Sequence, residues 1–156
     1  MCWHELNRFE LQAMRKILML DVSEAAKYIG NVSNRTWQYW ESGKNPIPAD
    51  IDEEVYAMIS QRNEIIDGII THKEDEQPTR WYHAYSDFQN DYKNRTKVWW
   101  KLHQSVVAFL FSEGSKMELL VNIPLNKKSY IYQYFAQIRD KDIEHQKQMA
   151  LIEKKG

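Results

Sequence analysis

A single cysteine, Cys2, among 156 residues excludes an intramolecular disulfide and fits a reducing compartment. Glycine and proline are scarce too, at five and four residues, which leaves no room for a collagen-like or Pro/Gly-rich linker chain. No apolar run approaches the roughly 18 residues that a membrane helix needs. The opening MCWHELNRF holds no apolar leader segment, so a cytoplasmic protein is expected. The five histidines (His4, His72, His83, His103 and His145) form no i, i+4 pair, and one cysteine gives no zinc-type spacing. A Gly-rich phosphate loop and a nucleophile elbow are both absent from the sequence. No catalytic group, metal or cofactor is therefore expected. The Asp50, Asp52, Glu53, Glu54 cluster reads as helix capping, and His103, set in an apolar stretch, reads as a core or interface histidine.

What is present points to a packed, core-forming protein. Hydrophobic residues make up 43% of the chain and aromatics 13%, with six Trp and nine Tyr. Net charge is −1, but its distribution is uneven. Counting along the sequence, residues 1–48 carry six basic and five acidic side chains, residues 49–92 three and eleven, and residues 93–156 twelve and six. A nucleic-acid binder needs a local basic footprint rather than a basic total, so this balance does not argue against one.

The informative stretch is DVSEAAKYIGNVSNRTWQYWESG, residues 21–43. Asp21 with Glu24 three residues on is a capping-box signature for a helix start. Ala25, Ala26 and Ile29 give that helix a short apolar face, and Gly30 is expected to supply the left-handed residue that ends it. Ser33 is placed to cap a second helix over about Asn34 to Ser42. Two short helices joined by a tight turn form a helix-turn-helix, whose second helix suits the DNA major groove. On a helical wheel Trp37 and Trp40 fall on the core side, while Arg35, Gln38, Tyr39 and Ser42 share the opposite face. Arg can grip guanine O6 and N7 with two hydrogen bonds, and Gln can pair with adenine N6 and N7. The expected DNA-contacting set is Ser33, Asn34, Arg35, Gln38, Tyr39, Ser42, Lys44 and Asn45, the last three placed for phosphate.

These residues also carry a family resemblance. Leu11, Met14-Arg15, Leu20-Asp21, Ala26, Gly30, Val32-Ser33 and Trp40-Glu41-x-Gly43 together resemble the lambda-repressor-like (Xre/Cro) DNA-binding domain over roughly residues 8–48. The wording from Thr36 to Gly43 is similar to the YdiL-like branch, which includes autorepressors found beside anti-CRISPR genes, and the likeness extends to about residue 115. Two departures stand out: Asn31 is one residue more than the usual turn, and Val22 replaces a phosphate-contacting Gln. The resemblance implies a repressor that controls its own operon.

Past the Asn45–Pro48 connector, Asp50 and Glu53 are expected to box the start of a long helix whose apolar stripe runs from Val55 to Ile69. Trp81 to Tyr85 reads as a short strand or an extended segment, Asp87 to Tyr92 as a brief helix, and Tyr130 to about Lys154 as further helix. The stretch Thr96 to Ser112 is apolar around most of its circumference, which calls for partners on several sides. The expected fold is thus mainly α: a helix-turn-helix domain (1–48), a helical dimerisation region (49–115) with one short strand, and a helical extension (116–156). Trp99, Trp100, Leu102, Val106 and Phe109 are the expected dimer contacts. Partners are double-stranded DNA with an inverted repeat and a second copy of the chain. The competing reading is an antitoxin-like module whose C-terminal part binds another protein.

Overall fold

A computed structural model describes residues 4–74, 78–118 and 124–137. The chain divides between Gln61 and Arg62 into two compact units.

In the first unit, α1 (Arg8–Ile17) starts from Asn7, whose side chain accepts the Glu10 N–H at 2.9 Å while Glu10 takes the Asn7 N–H at 3.0 Å. Met19, at φ 60, reverses the chain beyond it. α2 (Val22–Ala25) opens on the expected box, with Glu24 N–H to Asp21 at 2.7 Å and Asp21 N–H to Glu24 at 3.0 Å. It then widens into a π-helical turn, Ala26–Gly30. Such turns accommodate a residue that a regular helix cannot. The left-handed position falls on Asn31, at φ 50 and ψ 46, and not on Gly30 as the sequence pattern predicts. Asn tolerates that conformation better than most residues with a Cβ. Gly30 is needed for space instead: a Cβ there would lie 2.9 Å from Val32 Cγ2 and 3.2 Å from the Trp37 ring. α3 (Asn34–Ser42) is capped by Ser33, which accepts the Thr36 N–H at 3.2 Å, and ends at Gly43 with φ 80.

α4 (Ala49–Thr71) spans the division between the units. It begins one residue before Asp50, and the Ile51 and Asp52 N–H groups bond to the Pro48 carbonyl. Asp50 is therefore inside the helix and is not its cap. Asp52 instead accepts the Leu6 N–H at 3.4 Å.

In the second unit, β1 (Thr79–Arg80) pairs in parallel with β2 (Met117–Glu118), Thr79 opposite Met117. The strand lies just before Trp81–Tyr85, where the sequence suggested it. α5 (Tyr85–Asp91) and α6 (Lys97–Ser112) follow β1. α7 (Tyr130–Ala136) closes the described chain; the rest of the expected C-terminal helix lies outside the described residues. The α7 N-terminus is held by Glu74, whose carboxylate accepts the Tyr130 N–H at 2.8 Å. His72 stacks on the Tyr130 ring at 5.0 Å, and Gly68 has no Cβ to obstruct it. At the other end Arg95 donates to the Phe135 carbonyl at 2.6 Å and to the Gln137 carbonyl. Phe135 is fully buried, edge-on to Trp99 and His103. No helix among the described residues is long and apolar enough to cross a membrane.

Candidate nucleic-acid interface

α3 is anchored by its inward side chains. Trp37 and Trp40 are 1% and 5% exposed and meet edge-on at 5.4 Å. The Trp37 indole N–H donates to Glu41 on the same helix. Arg15, from α1, clamps that carboxylate with Nε to Oε2 at 2.7 Å and Nη2 to Oε1 at 3.1 Å. Its remaining arm donates to the Leu20 carbonyl at 3.0 Å, so one guanidinium ties α1, the following turn and α3 together. Burial alone would raise the Glu41 carboxyl, but the hydrogen bonds from Arg15 and Trp37 outweigh it and hold the group below its ordinary value. Arg8 adds a second tie, donating to the Ser42 carbonyl at 2.8 Å at the helix C-terminus.

The sequence-predicted contact residues sort into two groups around this anchor. Asn34, Arg35 and Gln38 are exposed, and among the described residues their side chains take part in no hydrogen bond or ion pair. They share one side of a helix whose other side is fixed, an arrangement that leaves their polar groups free for an incoming ligand. The rest are partly committed. Ser33 caps the helix and its hydroxyl also meets that of Thr36 at 3.0 Å. Ser42 donates its hydroxyl to the Tyr39 carbonyl at 3.2 Å. Tyr39 is half-buried, with the Lys44 ammonium 4.2 Å from its ring centre. Lys44 and Asn45 are exposed just past the helix.

Sequence reasoning missed Arg8, Arg15 and Glu41 as the groups that orient α3. Arg15 and Glu41 lie 26 positions apart, and neither carries a local signal of the other. Of the five expected dimer contacts, Trp99, Leu102 and Val106 are already buried within the chain, at 3%, 3% and 0% exposure. α6 presents them to its own fold, Trp99 against Phe135 for example. Trp100 and Phe109 remain half-buried.

Comparison with known proteins matches residues 6–119 to the Aca2/YdiL-like family. The chain is similar to the Aca2 repressor of Pectobacterium phage ZF40, with 45% identity over 107 residues, 67% of this chain and 92% of that protein. It is also similar to the uncharacterized protein YdiL of Escherichia coli (strain K12), with 32% identity over 111 residues, 69% of this chain and 94% of the relative.

Proposed function

Because the chain belongs to the Aca2/YdiL-like family, we propose that it is a sequence-specific DNA-binding repressor that reads an inverted-repeat operator as a homodimer. The observation that carries this reading is the split character of α3. One side is locked by Trp37, Trp40 and the Arg15–Glu41 pair, and the other presents Asn34, Arg35 and Gln38 with no competing partner among the described residues. A rigid helix with free side chains able to make bidentate hydrogen bonds is what base-edge recognition in a major groove requires. Lys44 and Asn45 then meet phosphate and set the register without carrying sequence.

Dimerisation follows from the reach of one such helix. A single recognition helix reads few base pairs, and two-fold pairing with a palindromic operator doubles the contacts. The similar phage protein is named a repressor, which supports repression over activation, and the promoter of the protein's own gene is the first operator to try. Selection of bound sites from a random duplex library tests the whole reading. An enriched inverted repeat with half-sites roughly 10 base pairs apart, centre to centre, is expected. Recovery of no common sequence would overturn it.

A further inference from the structure

The second unit contains a cavity of about 100 Å³ that the DNA-binding role does not use. Its lining includes Tyr82, Tyr92 and His103, and also Leu125, Ser129 and Ile131. The last three come from beyond residue 119, where the family likeness ends. The helix that carries Ile131 is tied at both ends. Glu74 accepts the Tyr130 N–H, Tyr130 lies against Gly68, and Arg95 binds the carbonyls at the far end of α7.

Size and charge narrow what the cavity can hold. An apolar cavity of roughly 150 Å³ accommodates benzene, so this one suits a single ring that extends slightly toward its mouth. The two charged side chains in its lining, Arg80 and Glu74, have partners of their own. Arg80 pairs with Asp91 at 3.2 Å, Asp91 also accepts the Tyr82 hydroxyl at 2.5 Å, and both Glu74 oxygens face the Tyr130 N–H. Burial lowers the His103 pKa to about 3, so its ring is neutral at ordinary pH. His103 is also 2% exposed, and among the described residues its Nδ1 has no hydrogen-bond partner. A neutral imidazole keeps one nitrogen able to accept a hydrogen bond.

We propose that this cavity is a binding site for a small neutral aromatic molecule bearing a hydroxyl or ring N–H, its ring between Tyr82, Tyr92 and Ile131 and its polar group on the His103 side. The proposal stands apart from operator recognition, because every residue it uses lies in the second unit.

Phenol and indole are the probes, with benzoate and benzylamine as charged counterparts, titrated into the full-length protein. Saturable binding of phenol or indole in the millimolar range is expected, with NMR shifts concentrated at His103 and Ile131. Ile131→Trp fills the space and should weaken binding at least about tenfold while leaving the circular dichroism spectrum unchanged. Should that variant fail to fold, the wild-type shift map decides alone. Absence of saturable shifts, shifts spread over other surfaces, or equal binding of benzoate or benzylamine would overturn the proposal.

Discussion

Arg35 and Gln38 are exposed on a helix that is braced from behind, so removing either side chain should leave the fold intact. Arg35→Ala or Gln38→Ala should cost about 1–3 kcal/mol of specific binding and relax preference at one operator position. Titration against the selected operator and its point variants checks this, and wild-type affinity in either mutant would remove that residue from the interface. Lys44→Ala should act differently. Loss of a phosphate contact weakens binding to all sequences alike and makes the salt dependence shallower. A loss confined to one base position would contradict that role. His103 yields a pH prediction. Its folded pKa of about 3 lies below the usual 6.5, so the unfolded chain takes up a proton that the folded chain refuses. Stability from this group is complete above pH 6.5 and is lost as pH falls toward 3, at up to about 1.4 kcal/mol per pH unit. Tyr82 and Tyr92, the titratable rings facing it, are pushed upward and stay protonated throughout. Urea unfolding at pH 7 and pH 5 should show a steeper loss for wild type than for His103→Gln. Equal slopes would refute the assignment.

At the scale of an element, α3 keeps its direction because three groups hold it: the Trp37–Trp40 pair, the Arg15–Glu41 bridge and the Arg8 tie at its end. A buried bridge of this kind orients more than it stabilises, since desolvation offsets much of its attraction. The tryptophans supply the burial. Trp40→Ala should therefore cost about 3–5 kcal/mol through lost packing and a residual cavity, and DNA binding should fail because the helix-turn-helix unfolds. Thermal melting followed by circular dichroism would show it; an unchanged midpoint would mean that Trp40 is not a core residue. The π-helical turn before Asn31 is the other feature at this scale. It leads into the left-handed Asn31 and leaves Gly30 beneath Trp37 and Trp40.

For the molecule as a whole, the open quantity is the number of chains that act together. α6 spends Trp99, Leu102 and Val106 on its own unit, which leaves Trp100, Phe109 and the 57%-exposed Phe111 for a second copy. We propose an isologous pairing through these residues, with the recognition helices about 34 Å apart, one turn of B-DNA. Light scattering at micromolar concentration should return the mass of two chains, and Phe111→Glu should shift that mass toward one chain without lowering helix content. A one-chain mass for the wild type, with a single half-site giving full affinity, would exclude the dimer.

The sequence by itself determined what is decided within a few residues. The Asp21–Glu24 box, the Ser33 cap and the inward turn of Trp37 and Trp40 with Arg35 and Gln38 outside all follow from i, i+3 and i+4 neighbours, and all are present in the structure. It also marked α6 as wanting cover on most sides, because apolar periodicity reports that a face is buried. Periodicity does not say against what. Only the tertiary structure decided that Phe135 covers Trp99 and that Arg15 reaches Glu41 across 26 positions. The same holds for Gly30, chosen for the space beneath two tryptophans while Asn31 takes the left-handed turn. Those outcomes depend on which distant groups arrive at the same place, and chain-local chemistry carries no record of that.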